Sequence, residues 1–445
     1  MHRVTSLSLA VVLLAAASPA AARGDCCCRE TLHDGFRTAA AGLEREWILR
    51  VPFSAAGWRL SKVVVGDGLV VALSSDGGVH AIQAAGSAAE SAAAAAPGTL
   101  LWTRPIGRPF VADEPPGVSA ALVAVPRDFA VHGIDARTGQ TSWRVAEVYN
   151  VTAGATIVDN WVYVPTDSNR IIRYPVDPRR PGGSGSAAGE QKQAKPARTA
   201  KPADRRGKGG GTQFFEAPTV KAVDAGGRVS IPVQRIDDGV VWCTETGRIV
   251  ALQLTDLGWK RWQFNLDVPL AGPPAIRGRS LFAATVTEDL VRIDLRAAEG
   301  QGLRYEWQAP LGLRPDAGPF VIGDVVLVPL GEEGIAAYGV EDGGLRWRSP
   351  ISGTIVAAVG GRAWCLDRTG RLTALDPRTG LVAARLCLGG FSVRVENTTT
   401  ERLVLASPDG VVTSLAARPA AAAGVSGRGA PAAAPASADP AARPR

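Results

Sequence analysis

Residues 239–254 read GVVWCTETGRIVALQL, and residues 361–380 read GRAWCLDRTGRLTALDPRTG. Each stretch holds an apolar strand, a polar turn with glycine, a second apolar strand and then an amide or acidic residue. Val250 and Ala374 mark the centre of these two copies. The same phrase recurs around His80, His132, Ile172, Val291, Ala336 and Ser414. Copies follow one another at about forty residues, a period that with four short strands per unit is the signature of a β-propeller. The two wider gaps hold an Ala/Ser-rich insertion at 84–98 and a Gly/Lys/Arg/Pro-rich one at 179–211.

Most copies finish on a tryptophan of the fourth strand: Trp102, Trp143, Trp262, Trp307 and Trp347. A large aromatic repeated at one position is expected to pack between neighbouring blades. The last copy, at 411–417, has no such strand after it, while LEREWILRVPF at 43–53 carries an unmatched Trp47 before the first. Joining the two closes the ring and removes the open edges of an unclosed circle. The expected fold is therefore all-β, an eight-bladed β-propeller of 43–417 closed by its N-terminal strand. Trp58, Trp161 and Trp259 fall outside the repeated position and read more readily as buried packing than as contacts.

The N-terminus, 1–22, reads as a secretory signal: an apolar run from Leu7 to Ala16, then Ala20, Ala21 and Ala22 before Arg23. That run is too short to span a bilayer, so an exported protein without a transmembrane span is expected. Residues 23–42 read as a flexible mature terminus, and 418–445, rich in Ala and Pro, as a disordered tail. Arg23, Gly24 and Asp25 precede Cys26-Cys27-Cys28, where a lipoprotein signal needs small residues; lipid attachment and disulfide formation both stay open for these three. Cys243, Cys365 and Cys387 read as small buried hydrophobes, with no ligand spacing among them or the histidines.

The insertion 179–211 holds nine Lys and Arg against Glu190 and Asp204, an excess equal to the +7 of the entire chain. The folded part is thus close to neutral, which argues against a nucleic-acid-binding face. The insertion reads first as solvated, with peripheral contact to an anionic surface as the alternative.

HGIDARTGQTSW at 132–143 and TALDPRTGLVAA at 373–384 resemble the pyrroloquinoline-quinone-like (PQQ-like) propeller repeat, ALD-x-x-TG-x-x-x-W; in the second, Arg385 stands near where the tryptophan would fall. Degenerate copies cover 43–417. The resemblance implies one of two functions. Quinoprotein dehydrogenases carry PQQ with calcium or a lanthanide, and adjacent cysteines over it. The cofactor-free branch, which includes the BamB-like scaffold of outer-membrane protein assembly, binds a protein partner. The chain is closer in style to the second: its adjacent cysteines precede the first blade. Its expected innermost strands, among them 120–125 of the second blade, offer Arg235 and Arg394 and almost no carboxylate, with Asp237, Asp238 and Asp316 at strand ends read as turn residues. The expected function is a non-enzymatic exported scaffold for a protein or envelope polymer, with no catalytic, cofactor or metal residues. The alternative is a diverged PQQ-dependent dehydrogenase.

Overall fold

The computed structural model describes residues 35–84, 95–109, 114–147, 149–177, 221–255, 258–298, 302–387 and 390–418. The signal segment, Cys26–Cys28, the insertion 179–211 and the tail beyond Arg418 lie outside them. The described residues form eight antiparallel sheets. Blades 1 to 7 span 60–105, 117–146, 156–224, 234–265, 275–310, 320–349 and 354–387, four strands each, numbered one to four from the inside. Blade 8 combines Arg402–Ala406, Val411–Ala417 and Leu43–Arg50, with a bridge from Val393 to Ala406 at its inner side. The ring is an eight-bladed β-propeller.

Burial explains the strand patterns. Second and third strands have a neighbouring blade on both faces, so Leu69–Ser74, Leu122–Arg127, Gly239–Cys243, Val325–Pro329 and Ile335–Gly339 are buried at every residue. This is why they read as unbroken apolar runs rather than alternating ones. Fourth strands lie at the rim and alternate: in Gly258–Asn265, Trp259, Arg261, Gln263 and Asn265 are exposed, and Lys260, Trp262 and Phe264 half-buried.

The closing strand pairs Leu43 with Ala417 and Arg50 with Val411. Thr413 Oγ1 donates to the Trp47 carbonyl at 2.7 Å, and Glu46 accepts from Arg402 and Ser414 at 2.9 Å. Two expectations are corrected. Residues 35–40, read as flexible chain, form a helix that packs against the outer strands of blades 7 and 8. In blade 2 the inner strand is Gly117–Val118; Leu122–Arg127 is the second strand, because Ser119 turns the chain by bonding Leu122 in both directions at 3.0 Å.

Candidate functional site

The eight blade interfaces each hold a separate apolar cluster, and each cluster contains a tryptophan. Trp102, Trp143, Trp262, Trp307 and Trp347 sit on fourth strands and face blades 2, 3, 5, 6 and 7 in turn; Trp47 faces blade 1. The indole N–H of Trp102 donates to the Ala136 carbonyl at 2.9 Å, that of Trp307 to Val340 at 3.1 Å, and that of Trp347 to Pro377 at 2.9 Å. These acceptors lie in the hairpin joining the third and fourth strands of the next blade. The Asp of that hairpin caps it: Asp135 Oδ1 accepts from the Thr138 N–H at 2.8 Å, and Asp376 Oδ1 from the Arg378 N–H at 2.8 Å. Its glycine is doubly required. Gly139 and Gly380 have φ of 68° and 72°, and a Cβ there would lie 2.6 Å from Trp102 and 2.5 Å from Trp347. The D-x-x-T-G-x-x-x-W phrase is thus one half of each of two adjoining interfaces.

Blades 3 and 7 lack this tryptophan, and the gap is filled differently. In blade 7 the residue facing Ala374, as Trp143 faces Gly133, is Ala384 rather than Arg385. Trp364 of the second strand and Ala41 after the helix fill the blade 7–8 interface instead. Between blades 3 and 4 the filler is Trp242, also on a second strand, its N–H bonded to the Ala225 carbonyl at 2.9 Å. Both stood in the opening sequence phrases unassigned; the shared Trp-Cys pair, with a missing fourth-strand Trp beside it, was the available signal. Cys243 and Cys365 follow them, and burial pushes both thiols up to about 12. Of the other three tryptophans, Trp58 and Trp161 are half-buried, while Trp259 is 45% exposed rather than buried.

One cluster resembles catalytic machinery by composition. His80, fully buried, lies 3.0 Å from Ser74 Oγ and 3.1 Å from Thr103 Oγ1, and Ser74 also bonds Asp76. The order is wrong for a nucleophile, since a triad needs the carboxylate on the histidine rather than on the serine. Ser74 also occupies a repeated place: Thr166, Thr244, Thr285 and Ser407 hold the same hairpin between second and third strands through hydroxyl–backbone bonds. The cluster is a turn cap that reaches Ser54 in the chain entering blade 1. Burial drives the His80 imidazole down to about 4 against the opposing pull of Asp76. Burial raises Asp76, but bonds from Ser74, Ser54 and the Gly78 and Ser54 amides outweigh it and bring its carboxyl to about 2.

A concavity of about 710 Å³ opens on the central channel, lined by inner strands and interblade connections of blades 3 to 8. Arg235 and Arg394 line it, as expected, and so do Glu396 and Asp316. Arg394 is ion-paired with Glu396, and Arg235 lies 3.5 Å from Asp159. Asp238 accepts weakly from Gln253 at 3.4 Å in its turn. A quinone-bound calcium needs several convergent hard oxygen ligands. Here Glu396 and Asp159 already face arginines, and among the described residues no three His, Cys, Asp or Glu side chains converge as a metal site. The channel residues do not fit that group.

The ring, its turn phrase and its tryptophan wedges define a propeller of PQQ-like repeats. A family model described as outer membrane protein assembly factor BamB matches residues 207–359 and 306–438. The chain belongs to this PQQ-like family. No curated protein sequence matches it. Among solved structures it is similar to BamB from Moraxella catarrhalis, with TM-score 0.58 and 17% identity over 84% of this chain and 97% of that one. It is also similar to Saccharomyces cerevisiae Sqt1, with TM-score 0.53 and 13% identity over 80% and 95%, and to the computationally designed protein Ika8, with TM-score 0.53 and 13% identity over 81% and 97%. At these identities the likenesses establish the fold.

Proposed function

We propose that the chain is a non-enzymatic, exported scaffold of the cell envelope that binds a protein partner and acts in outer-membrane protein assembly without a bound quinone or metal. The match to the assembly-factor family model carries this reading. The chemistry of the ring supports it: the repeated Asp, Thr and Trp side chains are occupied in turns and blade interfaces, and the channel arginines face carboxylates. Among the described residues no helix is long and apolar enough to cross a membrane. Crosslinking of the chain in its native envelope, followed by mass spectrometry, tests the reading. A reproducible protein partner of the outer-membrane assembly apparatus is expected; recovery of polysaccharide alone, or of no partner, contradicts it.

A further inference from the structure

Among the described residues the outer strand of every blade has no strand paired to its outer edge, and nearly all of these edges are interrupted. The register between third and fourth strands slips at Ala81/Ile82, Gly133/Ile134, Arg292/Ile293, Ala337/Tyr338 and Ala374/Leu375, and the closing pair slips at Arg45/Trp47. Such bulges twist an edge away from a would-be partner strand, a common protection against unwanted pairing. The described part of the outer strand of blade 3 is four residues, Lys221–Asp224. The outer strand of blade 4 is neither interrupted nor so short. Gly258–Asn265 pairs with Arg248–Thr255 in continuous register over its eight residues; no described strand is hydrogen-bonded to its other edge, while the outer strand of blade 5 approaches one face, where Tyr305 stacks on Phe264 at 6.1 Å.

The side chains of this edge select what it accepts. Trp259 stands 45% exposed, and the strand carries Lys260 and Arg261 with no carboxylate. The exposed row looks towards blade 3, where Arg261 approaches Asp224 at 3.5 Å. On that neighbouring rim, Arg173 and Lys221 lie 5.1 and 5.6 Å from the Trp161 ring. Apart from Asp224, which Arg261 engages, the side chains named along this groove are aromatic or cationic. A second copy of the same strand would bring further Lys260 and Arg261 charges to the pair with no carboxylate to offset them. An acidic strand would bring opposite ones.

We propose that Gly258–Asn265 receives an extended, acidic segment of a partner protein as a fifth strand of blade 4. The backbone ladder would supply affinity and the Trp259, Lys260 and Arg261 side chains selectivity. This names a binding site for the scaffold reading and rests on it.

The test uses the purified chain and a fluorescent octapeptide of alternating Glu and Val, read by anisotropy, with hydrogen exchange followed at 258–265. Saturable binding is expected, with slowed exchange in this strand. Binding should weaken at least tenfold in the Lys260→Glu/Arg261→Glu variant, and it should vanish when the peptide backbone is N-methylated, a control that needs no variant to fold. The proposal is overturned if the octapeptide does not bind, if a Lys–Val octapeptide binds as well, or if protection appears elsewhere. It is also overturned if the strand is already protected in the free protein by self-association or by the chain's own basic insertion. The two readings fail separately. An envelope partner captured without octapeptide binding removes this site and leaves the scaffold. Octapeptide binding without any envelope partner leaves the edge and removes the scaffold.

Discussion

At Trp347 a single indole meets the next blade three ways: its ring lies over Gly380, its N–H reaches the Pro377 carbonyl at 2.9 Å, and its apolar body joins the blade 6–7 cluster. Trp347 is half-buried, so Trp347→Ala should cost about 3 kcal/mol in a denaturant titration, the low end of the range for truncating a large core aromatic. A loss near zero would show that the wedge is dispensable. Gly380→Ala combines a left-handed φ with a Cβ 2.5 Å from the indole and should destabilise by roughly 1–3 kcal/mol. His80 gives a pH signature. Its folded pKa of about 4 lies below the ordinary 6.5, so below pH 6.5 the unfolded chain takes up a proton that the folded one refuses. Stability should be full above pH 6.5 and fall towards pH 4, by on the order of 3 kcal/mol for this group. His132, lowered to about 4 by burial and then by Arg144, adds in the same window, and Asp76 adds between 3.8 and about 2. Urea midpoints at pH 7 and pH 4.5 should differ less in His80→Gln than in the parent; an unchanged difference would sink the assignment. The repeated tryptophans were legible because period and residue type coincide. Trp242 and Trp364 went unassigned because a strand's own pattern does not say which neighbour leaves a gap; only the shared Trp-Cys pair beside a missing fourth-strand Trp marked them.

Among the elements, the closing strand shows the most direct line from sequence to fold. The unmatched Trp47 and the final copy without a tryptophan implied the pairing that the Leu43–Ala417 to Arg50–Val411 register displays. A chain beginning at residue 51 should lose this pairing, expose the Val411–Ala417 edge and aggregate or melt well below the parent. Adding a synthetic 43–50 peptide should restore much of the loss. An unchanged melting temperature after truncation would contradict closure by this strand. The inner strand of blade 2 was misplaced because AALVAV, 120–125, is as apolar as an inner strand and only the Ser119 turn assigns it to second place. The helix Gly35–Ala40 escaped notice for a related reason: six residues carry little periodicity, and it is placed by packing against two outer strands. The unbroken edge of blade 4 was equally illegible, since a bulge belongs to the register of two strands and not to the alternation of either.

For the whole molecule, sequence and structure agree on an eight-bladed ring of the PQQ-like family, and the candidate site divides into a channel and a rim. Arg235 and Arg394, read as innermost-strand residues, both line the channel, although 392–395 forms only an isolated bridge at Val393; Glu396 and Asp316 enter the channel through connections whose path no strand pattern fixes. The pairing of those arginines with carboxylates, and the scatter of acidic groups, support the proposal that the ring works as a binding scaffold rather than a quinone enzyme. Calorimetric titration of the purified chain with pyrroloquinoline quinone in the presence of calcium tests this most directly. The account predicts no saturable heat with or without the metal. Tight, calcium-dependent binding would contradict it and return the channel to the quinoprotein dehydrogenases.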